Sequence, residues 1–222
     1  MEVVKSPLHN KRLEIFELLK KLPVQTGDIF FRASNAKGPF GIPFSRIVSL
    51  LTNSDYSHAS IAIDFKSEQF LLEINDKGTQ LSRIVDWLDL CHTGKFSIYR
   101  YKEMTPEVRK KVRDAILDFL KDDPEYDFTF QSENNFYCTE SVVHIYEQAD
   151  ITLTEGETVK EAVPFWIYAC LYIANFVVSR LSHCSIPFDG KMYYVGNKER
   201  GMMSSDKLQS ILEYPIENQE TN

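Results

Sequence analysis

The stretch NNFYCTESVVHIYEQA, Asn134 to Ala149, decides how the chain is read. Val142, Val143, Ile145, Tyr146 and Ala149 recur at the spacing of one helix face, and Asn134 and Asn135 upstream are turn or cap residues. The helix therefore begins near Cys138. Buried cysteines usually sit within an apolar face as small hydrophobes, yet this one stands at the mouth of its helix. A thiol with an ordinary pKa of roughly 8.5 is acidified at a helix N-terminus and beside a histidine. The partial positive charge there favours the anion, and unpaired backbone N–H groups are available to hold a developing oxyanion. Cys138 is the candidate nucleophile.

A nucleophilic thiol needs a base, and the histidines stand at 9, 58, 92, 144 and 183. His144 lies six positions beyond Cys138, about 240° around the helix, and faces elsewhere. His9 belongs to an N-terminal segment expected to be mobile. His92 and His183 each adjoin a cysteine, but neighbours on a strand point to opposite faces. With no second ligand pair at short spacing, no metal site is expected. That leaves His58, in YSHASIAID. Along this strand Ala59, Ile61, Ile63 and Phe65 form a core face, while His58, Ser60 and Ala62 form a small, polar one suited to the floor of a cleft.

Glu73, in FLLEIND, is the candidate third member. If the two strands form a hairpin with a two-residue turn at Phe65-Lys66, Glu73 falls directly opposite His58. A turn at Lys66-Ser67 makes it a diagonal neighbour on the same face, and an odd-length loop or bulge separates the two. On either even-loop register a carboxylate can orient the imidazole. The chain order is then His, Glu, Cys.

The bulk properties narrow the setting. A chain of 222 residues is long enough for one domain with a sizeable core. A net charge of −7 with pI near 5.3 argues against a general affinity for nucleic acid, and the basic run VRKKVR reads as a solvated helix face. The first residues lack the pattern of a signal peptide, and cysteines at 91, 138, 170 and 184 show no disulfide framework. Reduced thiols and a cytoplasmic location are the expectation.

The remaining elements follow from periodicity. Residues 9–22 form an amphipathic helix with Leu13, Phe16, Leu19 and Leu22 among its apolar positions, ended by Pro23. GDIFFR is a strand, and the Gly/Pro-rich segment after it a loop whose Phe40, Ile42 and Phe44 either line a pocket or pin it to the core. SRIVSLLT and RIVDWLDL read as short helices and KFSIYRY as a strand. Thr105 caps a helix with Pro106 at its first position and a stripe of Val108, Val112, Ala115, Ile116, Phe119 and Leu120. VPFWIYACLYIANFVV, 163–178, falls short of the ~20 residues needed to span a bilayer. It reads first as a buried helix, then as a membrane-surface or acyl-chain-binding helix, and last as a span.

TGDIFFR, SDYSHASIAI, LLEI, PEYDFTF and FYCTESV together resemble the permuted papain-like hydrolases of the YiiX/YaeF type, relatives of the NlpC-type peptidases and of lecithin:retinol acyltransferase. The resemblance covers about residues 24 to 150. It implies an α+β, permuted papain-like (NlpC-like) fold, a central antiparallel sheet packed against helices that include the nucleophile helix. The expected organisation is a single domain over 1–222, with 151–222 a helical extension completing or flanking the cleft.

The resemblance implies Cys138 as nucleophile, His58 as general base and Glu73 as the residue orienting it. Tyr137 and Tyr126, at the family's aromatic positions, would shape the substrate cleft, Phe40 joins them as a substrate-binding candidate from the reading of its loop, and no metal or organic cofactor is implied. Glu140 matches the motif in the first helical turn, where a carboxylate also suits the helix dipole. CTES departs from the Cys-Glu-His start typical of the acyltransferase branch.

The primary expectation is a thiol hydrolase acting on a small amide, peptide or acyl-lipid substrate. The alternatives are a lipid-directed acyltransferase in peripheral contact with a membrane through 163–178, and a non-catalytic module binding peptides in the old cleft.

Overall fold

The computed structural model describes residues 7–33, 49, 52–65, 68–75, 77–127, 135–162, 168, 172 and 191–215. A 3-10 turn at His9–Lys11 leads into α1 (Arg12–Lys21), followed by β1 (Ile29–Arg32), β2 (His58–Phe65), β3 (Glu68–Asn75) and β4 (Gly78–Arg83). Next come α2 (Ile84–Asp89), β5 (Phe96–Tyr101), α3 (Pro106–Asp122) and α4 (Cys138–Gln148). The short β6 (Glu157–Thr158), α5 (Val159–Ala162) and β7 (Lys191–Met192) precede β8 (Leu208–Tyr214).

Six of the strands form one sheet in the order β4-β3-β2-β1-β5-β8, each neighbouring pair antiparallel. Both faces are covered, which is why the central strand reads IFFR with every residue buried. Ile29, Phe31, Ala59, Ile61, Ile63 and Leu72 face α3 and α4, whose Val112, Ile116, Val142, Ile145 and Tyr146 complete that core. Phe30, Ala62, Leu71, Phe96 and Ile98 face the other way, onto Ile15 and Leu19 of α1 and Trp87 and Leu88 of α2. The result is a helix–sheet–helix sandwich.

The Gly-Asp pair before β1 anchors this sandwich. Gly27 sits at φ +96°, and a Cβ there would lie 2.7 Å from the Met104 side chain and 3.3 Å from the Tyr146 hydroxyl. That hydroxyl, from α4, donates to the Gly27 carbonyl. Gly27 N–H donates to Ala62 O and Ala62 N–H to Asp28 O, at 2.9 and 2.8 Å. The fully buried Asp28 carboxylate accepts from Arg100 Nε and Nη2 and from Gln25 N–H. Burial pushes this carboxyl above its ordinary value, and the Arg100 hydrogen bond opposes the shift. One turn thus joins β1, β2, β5 and α4.

Several elements differ from the sequence expectation. In α1 the docked positions are Ile15 and Leu19, while Leu13 is 77% exposed and Phe16 is turned outward, because the docking stripe also takes in Leu8 and partly buried Leu18 and Leu22. The strand GTQLSR is unmarked by periodicity, since none of its residues is fully buried. The segment after 150, expected to be helical, supplies β8, an edge strand paired to β5 across a register shift. Phe40 and most of SRIVSLLT lie outside the described residues, as does 163–178 apart from Tyr168 and Tyr172. Among the described residues no helix is long and apolar enough to cross a membrane.

Thr105 caps α3 as expected, its hydroxyl accepting from Val108 N–H at 3.2 Å. Because Gly27 combines positive φ with close contacts, Gly27→Ala is expected to destabilise the chain by about 1–3 kcal/mol. Urea unfolding of the variant checks this, and an unchanged midpoint would contradict the anchoring role.

Candidate active site

Cys138 opens α4, with Tyr137 as N-cap in extended conformation and Ser141 N–H making the first helical bond to Tyr137 O. The first backbone N–H groups of the helix therefore lack intrahelical partners. The Glu140 carboxylate reaches back to Tyr137 N–H at 3.4 Å, the acidic half of a capping box. Glu140 thus serves the helix start, and burial raises its pKa to about 7.

The α4 N-terminus lies against the beginning of β2. Cys138 Sγ is 3.9 Å from Ser57 O and 3.9 Å from Thr139 Oγ1. His58 follows Ser57 directly, and its imidazole is near enough to the Cys138 thiol for each to shift the other's titration. His58 Nε2 lies 2.7 Å from Glu73 Oε2. With Nε2 so engaged, Nδ1 is the nitrogen left for the sulfur. The imidazole thus bonds the carboxylate and lies within electrostatic reach of the thiol.

The hairpin explains the meeting of His58 and Glu73. Phe65 pairs with Glu68, so the connection is two residues long, 66–67, and Ile61 pairs with Leu72. Continued by one residue, this register sets Glu73 opposite Ser60, a diagonal neighbour of His58 on the same face. That face is not an open cleft floor. Ser60 is fully buried and accepts from Trp87 Nε1 at 2.7 Å, and Ala62 belongs to the core beneath α1 and α2.

Glu73 is 1% exposed and saturated with donors. Its Oε2 also accepts from Arg32 Nη2 at 3.1 Å, and Oε1 accepts from Ser82 Oγ at 2.6 Å and Gln80 Nε2 at 3.3 Å. Burial opposes its ionisation, but the His58 hydrogen bond and charge, with help from Arg32 and Ser82, bring its pKa down to about 2. Arg32, Ser82 and Gln80 escaped the sequence analysis. Arg32 ends a strand and reads as a boundary residue. Its signal is positional, since β1 pairs with β2 and sets Arg32 across from His58.

Two opposing shifts govern the reactive pair. Burial raises the Cys138 pKa, but the charge and hydrogen bond of His58 outweigh it and the thiol ends below its ordinary 9.0. Burial and Arg32 press His58 down, whereas the Cys138 charge and the hydrogen bonds to Cys138 and Glu73 carry it above 6.5. Both changes favour thiolate and imidazolium.

The other candidates have the following surroundings. Tyr137 is buried, its hydroxyl accepting from Tyr193 N–H at 2.6 Å, and so ties the helix start to the segment after β7. Tyr126 is half-buried in a parallel bridge with Phe136, beside the chain entering α4. His144 packs against Phe136 with ring centroids 4.5 Å apart and ring planes tilted by 37°. His9 lies 3.4 Å from Asp89.

A model of the family described as permuted papain-like amidase enzyme, YaeF/YiiX, C92 family, matches residues 23–165, and the chain belongs to that family. It is therefore of the amidase kind, with a cysteine hydrolase activity implied by the papain-like class. Among solved structures it is similar to the crystal structure of metalloprotein yiiX from Escherichia coli O157:H7. The two share 22% identity with a TM-score of 0.65, over 85% of this chain and 97% of that one. No curated protein matches the chain. The relative is described as a metalloprotein. Among the described residues here, no group of three or more His, Cys, Asp or Glu side chains is arranged to hold a metal ion. The fixed charge of Arg32 on Glu73 also disfavours a cation at this cluster.

Two outcomes follow from this geometry. Iodoacetamide at neutral pH should modify Cys138 at least about tenfold faster than Cys91, whose thiol burial pushes up to about 11. Peptide mass spectrometry reads both rates, and equal rates would contradict the acidified thiol. Removing the carboxylate in Glu73→Ala strands the buried Arg32 charge, at an expected cost of about 3–5 kcal/mol in chemical denaturation.

Proposed function

We propose that the chain is a thiol hydrolase of amide bonds in small amide or peptide substrates, working through a Cys138 acyl-enzyme. The observation that carries this reading is the His58–Glu73 hydrogen bond beside a thiol at a helix N-terminus, with thiol and imidazole shifting one another's titration. The thiolate attacks the carbonyl carbon, a C–S bond forms, and the carbonyl π electrons move to oxygen. The Cys138 backbone N–H stabilises that oxyanion, helped by the helix dipole. As the tetrahedral intermediate collapses, the C–N bond breaks and the His58 imidazolium gives its proton to the departing nitrogen.

Deacylation reverses the roles. Neutral His58 takes a proton from water as the water oxygen attacks the thioester, and the sulfur leaves as thiolate. Glu73 keeps the imidazole oriented through both steps. Ester substrates pass through the same acyl-enzyme, since only the leaving atom changes.

Cys138→Ala and His58→Ala should each lower turnover of an acyl substrate by about ten-thousand-fold or more, with circular dichroism unchanged. Mass-spectrometric trapping of the acyl adduct on Cys138, from a mixed amide and ester library, identifies the acyl class. A normally active Cys138→Ala protein would end this reading. The pH dependence of kcat/KM should be a bell whose two limbs belong to the coupled Cys138–His58 pair.

A further inference from the structure

Arg32 has no step in the reaction above, yet it touches the carboxylate directly. Its side chain is 4% exposed. The guanidinium carbon stands 4.6 Å from the centroid of the Trp87 ring, and Nη1 donates to Trp87 O at 2.6 Å. Trp87 is itself held by its hydrogen bond to Ser60. Nη2 reaches Glu73 Oε2, the same oxygen that His58 Nε2 reaches. Nε has no hydrogen-bond partner among the described residues. An ion pair buried with one N–H left unpaired is poorly rewarded in stability, so stability alone does not account for this side chain.

We propose that Arg32 is a positioning residue that divides the hold of Glu73 between two cations, so that His58, having given its proton to the leaving nitrogen, stays neutral in the acyl-enzyme. The proposal rests on the reading of His58 as the base.

The charged and titratable groups around the imidazole are Arg32 from β1, Glu73 from β3 and Cys138 from α4, and Arg32 additionally feels Cys91 after α2. In the free enzyme the thiolate supports the imidazolium, which is the state needed to protonate the leaving nitrogen. Acylation turns the sulfur into an uncharged thioester. What then remains is Glu73 favouring a proton on the ring, against burial and the Arg32 charge opposing it. A lone buried carboxylate would draw a proton back onto the imidazole and leave no base for water. With Arg32 on the same oxygen, loss of the thiolate charge lowers the imidazole midpoint at the step that needs a neutral ring. Arginine suits this task because its guanidinium remains charged when buried and stacks flat on an indole.

The test reads His58 directly and needs no turnover. In Cys138→Ala, which like the acyl-enzyme carries no sulfur charge, the His58 midpoint is followed by NMR of isotopically labelled histidine. Adding Arg32→Gln should raise that midpoint by about one pH unit or more. Arg32→Lys, which retains the charge, should leave it near the parent value. If the glutamine variant does not fold, Arg32→Met, filling similar space over Trp87, reads the same shift. A midpoint unmoved in a folded neutral variant overturns the proposal, as does a lysine variant shifted as far as the neutral one. With Cys138 present, the acid limb of kcat should move upward by the same amount in the neutral variant. A chain with no acyl hydrolysis at all would sink the proposed function, while the NMR result would still decide what Arg32 does to His58.

Discussion

The buried carboxylate of Glu73 is the constraint around which the site is arranged. It accepts from Arg32 on β1, His58 on β2, and Ser82 and Gln80 on β4, so four adjacent strands converge on one anion. A lone charge at this depth would be costly, and each donor offsets part of that cost. The same donors fix the carboxylate in space. An imidazole bonded to it inherits a defined tautomer and ring plane, which a thiol needs from its partner.

The second requirement is that groups from two layers meet. By strand alternation His58 shares the face of Ser60 and Ala62, toward α1 and α2, whereas Cys138 belongs to α4 on the opposite face. They come together because His58 is the first residue of its strand and Cys138 the first of its helix. The relative height of helix and sheet therefore matters. It is set in part by Tyr146, two turns along α4, whose hydroxyl bonds the carbonyl of Gly27 at the entry to β1. The Gly-Asp turn is distant from the chemistry, yet it governs whether the sulfur lies level with the imidazole. Tyr137 serves a related purpose, joining the helix start to the chain near β7 through Tyr193.

Much of the site was legible as local pattern. The helix starting at Cys138, the alternation of His58 with core residues and the acid in an apolar strand are each short-range signals. The pairing of His58 with Glu73 was narrowed to two even-loop registers, and the structure adopts the two-residue connection at 66–67, with the diagonal relation. Arg32 was invisible because a charged residue at a strand end looks solvated, and only strand order sets it beside His58. The polar face of β2 was expected to floor a cleft, but an indole from α2 covers it. In α1, the apolar positions exceed what one face can bury, so periodicity alone could not tell Leu13 from Ile15.

The sequence by itself determined the periodic elements, the cysteine at a helix mouth and the family of the fold, because these depend on neighbours within a few residues along the chain. Tertiary structure alone decided which strands adjoin, that β8 closes one sheet edge, and that a guanidinium shares the oxygen of Glu73 with the histidine. Those outcomes rest on contacts between residues 26 to 41 positions apart in the site, His58 with Arg32 and Arg32 with Glu73, and on burial that turns weak surface charges into strong ones. No local signal encodes that dielectric; it exists only once the layers have closed.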